Sequence, residues 1–157
     1  MPVYNIEKLM DETRRIASEY RQSTGSTLPV SAELAKYDAI KLLGLKPLNS
    51  QQRAVDGLLN SPQGDKKVQV KGRVIFNADK QGQRVGQLNL DADWDVLVLV
   101  LMNDQYETTE IYQLERDRLL AELTDVKSAH KKSRGAISVK KFIAISQLCW
   151  PRNTEHE

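Results

Sequence analysis

Between residues 5 and 21 the apolar side chains Ile6, Leu9, Met10, Ile16, Ala17 and Tyr20, with Thr13 among them, recur at helical intervals, and charged residues fill the other positions. This spacing predicts an amphipathic helix that packs on the rest of the protein. The polar run Arg21 to Thr27 ends it. Ser31 is placed to cap a second helix that runs to about Leu43, with Gly44 at its C-terminal end and Leu34, Ile40, Leu42 and Leu43 as its apolar mass. Further on, the pattern changes period. Ala54 to Leu59 forms a short β candidate, and Asn60-Ser61-Pro62-Gln63-Gly64-Asp65 has turn chemistry. From Lys67 to Val74 the chain alternates, with Val68, Val70 and Val74 on one side and Lys67, Gln69, Lys71 and Arg73 on the other. Such a two-residue period belongs to a strand with one apolar face.

The second half reads as sheet followed by helices. A turn is expected over 77–83, and Val85, Leu88 and Leu90 suggest an extended or irregular approach. The run Val96 to Met102 is apolar without alternation, as in a central strand covered on both faces. Thr109 to Leu114 returns as another strand, and Glu115 to Leu123 looks helical with Leu119, Leu120 and Leu123 inward. Ile137 to Leu148 fits either a short strand start or a helix capped by Ser138, and a helix from about Val139 is the preferred reading. Together these elements predict an α/β sandwich with a mixed central sheet of about four or five strands flanked by helices. One domain suffices: an N-terminal helix and linker over 1–28, a core over 29–125, and a basic C-terminal element over 126–157.

The predicted hairpin brings particular chemistry together. Gln69 stands thirteen positions after Asp56, with Lys71 two further on. Folding back at 60–65 sets a carboxylate, a carboxamide and an ammonium on one patch. Asp56, then Gln69-Val70-Lys71, with Glu33 on a preceding helix, resembles the PD-(D/E)xK nuclease superfamily in its Gln-x-Lys variant, which is similar to that of Mrr-type restriction enzymes. The resemblance covers roughly positions 30 to 125 and implies a restriction endonuclease-like fold. It also implies a metal-dependent nuclease that hydrolyses DNA phosphodiester bonds with Mg²⁺ or Mn²⁺. Asp56, Gln69, the main-chain carbonyl of Val70 and Glu33 are then the implied metal ligands. Lys71 is implied to steady the attacking water or the transition-state charge. Cutting both strands would call for a homodimer.

A carboxamide brings no negative charge, so this version of the motif holds one carboxylate fewer. Two alternatives stand beside the nuclease. Gln69 and Lys71 could face solvent on an edge strand, where polar residues oppose aggregation. The protein could also be a catalytically inactive nuclease-fold module that binds nucleic acid or another protein.

Composition adds a charge asymmetry. The chain of 157 residues carries a net charge of +2, yet residues 1–125 hold 16 basic and 19 acidic side chains, whereas 126–157 hold 7 and 2. Lys131, Lys132 and Arg134, close to Gly135, suit contacts with a DNA backbone that carry no sequence information, and Arg73 could join them. A solvated tail with lysines facing water explains the same run. No stretch approaches the ~20 apolar residues that span a bilayer. The start, Met1 to Lys8, lacks the layout of a secretion signal, so the cytoplasm is the expected address. One cysteine, Cys149, excludes an internal disulfide and a cysteine-built zinc cluster. No glycine-rich phosphate cradle is present, so no nucleotide cofactor is expected. Asp91, Asp93 and Asp95 lack the glycine and distal glutamate of a calcium loop and read as strand-entry chemistry. His130 lies in a basic loop without a nearby carboxylate, and Trp94 and Tyr37 suit core or rim packing better than base stacking.

Overall fold

The computed structural model of the protein describes residues 5–76, 83–124 and 137–151. Two helices come first, α1 (Ile6–Thr24) and α2 (Ser31–Leu43). Strands β1 (Gly57–Leu59), β2 (Lys66–Val74), β3 (Val96–Met102) and β4 (Thr108–Glu115) follow, and then α3 (Arg116–Thr124), α4 (Val139–Ile145) and β5 (Gln147–Trp150). The five strands form one sheet in sequence order, with β2 and β3 parallel and every other pair antiparallel. The expected mixed α/β architecture is therefore present.

Alternation along β2 sorts the two sides of the sheet. Val68, Val70 and Val74 face the same way as Val96, Val98 and Val100 of β3, and Leu34, Ala35 and Ala39 of α2 cover them. Leu97, Leu99 and Leu101 face the other way, into a second core with Trp94, Val85, Leu88, Leu119 of α3 and Phe142 of α4. All seven residues of β3 are buried, as its unbroken apolar run requires of a central strand. Gly72 lets α2 approach β2 closely, because a Cβ there would overlap the Ala35 methyl group. Gly44 closes α2 in the left-handed conformation at φ 67°. Ser31 is the first helical residue rather than the cap; Val30 holds the cap position and makes no side-chain bond.

Two expectations about the ends of the chain are corrected. In α1 the stripe Ile6, Leu9, Ile16 and Tyr20 is exposed, while Ala17 and Ser18 are the buried residues. Ala17 and Met10 pack on the core as expected of an amphipathic helix, and polar anchors add to them: Arg14 pairs with buried Asp38 and donates to the Tyr106 carbonyl at 2.6 Å, and Arg21 lies over the Phe76 ring at 3.9 Å. Periodicity identifies an amphipathic helix but not the surface that meets it. At the other end, Ser138 caps α4 as expected, accepting from the Lys141 amide, but the helix stops at Ile145. Residues 147–150 instead pair with β4, giving the open edge of that strand a partner for its main-chain groups. A four-residue edge strand is too short to show a period of its own.

Candidate functional site

The hairpin places Asp56 immediately before β1, opposite the middle of β2. Its amide donates to the Val68 carbonyl at 2.7 Å, and its carboxylate Oδ2 accepts from the Val70 amide at 2.7 Å. Asp56 thus continues the ladder by one side-chain bond where β1 bends away. One carboxylate oxygen, Oδ1, carries no hydrogen bond to the protein among the described residues. The N–H and C=O of one strand residue point to the same neighbour. The Val70 carbonyl therefore lies on the Asp56 flank of β2.

Gln69 and Lys71 occupy the opposite face of β2 from α2, level with Leu97 and Leu99. Neither is on an edge strand, since β2 is flanked by β1 and β3. Gln69 is 2% exposed, and among the described residues neither Oε1 nor Nε2 has a hydrogen-bond partner. A buried carboxamide left unpaired costs on the order of 1–3 kcal/mol. Lys71 is half-buried. Burial, and then the charge of Arg73, lower the pKa of its ammonium, while Asp56 acts in the opposite sense. Burial thus disfavours the charged form of Lys71, and Asp56 offsets this only in part.

The remaining predicted residues are distributed differently. Glu33 is exposed in the first turn of α2, on the helix that packs against the other face of β2. Among the described residues, no three Asp, Glu, His or Cys side chains converge on a common point. Arg73 does not project freely: Nε donates to the Arg84 carbonyl and Nη1 to the Gly72 carbonyl, each at 2.6 Å, and its guanidinium lies where a side chain on Gly86 would fall. Its expected phosphate contact thus competes with a structural clamp. Lys131, Lys132, Arg134 and His130 lie outside the described residues.

The aspartates before β3 are separately engaged. Asp91 pairs with Arg53 at 3.1 Å, Asp93 with Lys67 at 2.8 Å, and Asp95 accepts from the Lys67 amide at 2.8 Å. Trp94 is buried, donating to the Asn89 carbonyl at 2.9 Å beneath the Arg116 guanidinium, so it is a core residue and not a stacking platform. Burial pushes the Cys149 thiol up to about 11, which leaves it protonated at neutral pH. Among the described residues, no helix is long and apolar enough to cross a membrane.

One feature beside Asp56 has almost no signature in the sequence. A groove of about 630 Å³ runs from Lys36 of α2 along the segment 47–55 and ends at Asp56. Asn49, Ser50, Gln51 and Gln52 line it. The only signal is that polar run itself, which looks like any solvated loop until its position is known. No protein-family model matches the chain, and no curated protein matches it in sequence.

Proposed function

We propose that the protein is a small nuclease of the PD-(D/E)xK type with a restriction endonuclease-like core, acting on DNA with Mg²⁺ or Mn²⁺. The observation that carries this reading is the meeting of three groups where Asp56 abuts β2. The Asp56 carboxylate, the Val70 carbonyl on the same flank and the partly desolvated Lys71 ammonium stand together next to an unpartnered carboxamide. The donor set fits a hard divalent cation, which prefers oxygen ligands. Asp56 Oδ1 and the Val70 carbonyl would be the first to hold such a cation, whereas Glu33 is exposed on the helix across β2 and the Gln69 amide oxygen is enclosed in the core. A cation held there would supply an activated water and neutralise charge on the phosphoryl group. Lys71 lacks full hydration, so it gains more from an arriving phosphate than an exposed lysine would, and it steadies the charge that builds up on that phosphate. Asp56 holds β1 and β2 in register through its bond to Val70, which keeps these groups at fixed separation. Each copy carries one such site, so a double-strand break calls for two copies.

Nicking of supercoiled plasmid DNA tests this directly. Activity is expected with Mg²⁺ or Mn²⁺, not in EDTA, and is expected to fall by at least roughly a hundredfold in Asp56→Ala and in Lys71→Ala. Undiminished nicking in both variants ends the mechanism.

A second reading, a nucleic-acid-binding module without catalysis, draws on one specific observation. The Gln69 carboxamide has no solvent access, which leaves Asp56 as the carboxylate at the core of the site. That reading expects DNA to be retained in gel shifts while calorimetry finds no Mn²⁺ uptake that depends on Asp56.

A further inference from the structure

The groove that ends at Asp56 combines apolar and polar lining. Ile40, Leu48 and Val55 line it together with Lys36 and the polar side chains of 49–52. Among the described residues, none of the side chains of Asn49, Ser50, Gln51 and Gln52 makes a hydrogen bond to the protein, and Lys36 has no ion-pair partner. Four exposed neutral polar groups and one half-buried ammonium, without protein partners among the described residues, therefore stand beside apolar lining.

The segment that presents them is fixed at both ends. At one end Lys46 exchanges two main-chain hydrogen bonds with Leu58 of β1, at 2.8 and 2.9 Å. At the other end the Val55 amide donates to the Gln52 carbonyl at 3.3 Å, and the Val55 side chain is buried in the core. Ala54 between them is left-handed at φ 60°, a conformation that a residue with a Cβ adopts only when its surroundings impose it. The loop is thus a shaped wall rather than a floppy connection, and it delivers the chain straight into Asp56.

An unpaired nucleotide matches this arrangement point by point. Its base has two apolar faces and a rim of donors and acceptors, and carboxamides pair with such rims in two-pronged fashion. A base inside a duplex hides both faces in the stack, so apolar lining offers it no partner. Lys36 supplies the contact for the phosphate. We infer that this groove seats one unpaired nucleotide of a nucleic-acid strand whose neighbouring phosphate is presented to Asp56 and Lys71. The inference rests on the nuclease reading for what happens at that phosphate, but binding in the groove does not require cleavage.

Fluorescence anisotropy in EDTA separates the two. The probes are a short fluorescein-labelled single-stranded oligodeoxynucleotide and the blunt duplex of the same sequence. The full chain is expected to bind the single strand more tightly than the duplex. Lys36→Ala and the double substitution Gln51→Ala with Gln52→Ala are each expected to weaken single-strand binding by roughly tenfold. All three side chains lie at the surface or its margin, and an unchanged thermal midpoint checks that the fold is intact. Equal single-strand affinity in parent and variants overturns the inference, as does tighter binding of the duplex or no binding of either. Groove-dependent binding without Mg²⁺-dependent nicking leaves the inference standing and removes the nuclease reading. Nicking that is indifferent to Lys36→Ala and to the double substitution does the reverse.

Discussion

At Gln69 a side chain able to donate two hydrogen bonds and accept more stands in the core without a partner among the described residues. Methionine has nearly its shape and no such demand. Gln69→Met is expected to raise stability against urea by about 1 kcal/mol or more, and to lower Mn²⁺ uptake if the amide oxygen is a ligand. A loss of stability would mean that the amide is satisfied, with buried water the first candidate. Lys71 makes a prediction with a definite sign. Its folded pKa lies below the ordinary 10.5, so between the two values the folded chain binds fewer protons than the unfolded one. Stability therefore rises with pH across that window. Below it both states are protonated and the whole cost of burying the ammonium is present; above 10.5 that cost is gone. Lys71→Met is expected to be more stable than the parent at neutral pH, and the difference should close as pH climbs through the window. Urea midpoints measured over pH would show it, and a constant gap would contradict the desolvated lysine.

Among the elements, α2 and β2 depend on one missing side chain. Gly72→Ala forces a methyl group against Ala35 and is expected to cost about 1–3 kcal/mol, read from thermal unfolding, because helix and strand must separate. An unaffected midpoint would mean that α2 shifts freely. The attachment of α1 rests on a different kind of contact. Asp38 receives Arg14 and the Thr108 hydroxyl on its two oxygens, with side-chain exposure of 15% for the arginine and 8% for the aspartate. Removing the cation alone leaves a buried charge, so Arg14→Ala is expected to cost about 3 kcal/mol or more, with part of it recovered when Asp38→Ala is added. Equal losses in the single and double variants would show that the pair is not coupled. The β2 alternation, the apolar run of β3 and the turn between β1 and β2 were all legible in the sequence. The side on which α1 docks was not, because the helix meets the body through Met10, Arg14, Ala17 and Ser18 while Ile6, Leu9, Ile16 and Tyr20 stay exposed. Strand β5 was missed for a related reason: what makes Gln147 to Trp150 a strand is the free edge of β4.

Across the whole molecule, charge is divided between a slightly acidic body and a basic end. Lys131, Lys132 and Arg134 stand in the basic stretch, outside the described residues. Replacing all three with alanine is expected to weaken non-specific DNA binding and to make it less sensitive to salt. In a plot of log affinity against log salt, the slope should flatten by roughly 0.9 for each phosphate that is no longer neutralised. Anisotropy at several salt concentrations measures that slope, and an unchanged slope would remove these residues from the interface.

Local periodicity and turn chemistry, which depend only on near neighbours, determined the strand at Lys67 to Val74, the hairpin ahead of it and the placing of Asp56 beside Gln69 and Lys71. Burial depends on what the distant parts of the chain bring. The closing of Gln69 into the core, the clamping of Arg73 by the Arg84 carbonyl and the groove beside Asp56 were therefore decided by the assembled sheet and helices alone. A side chain's type is written in the chain; its access to water is a property of everything packed around it.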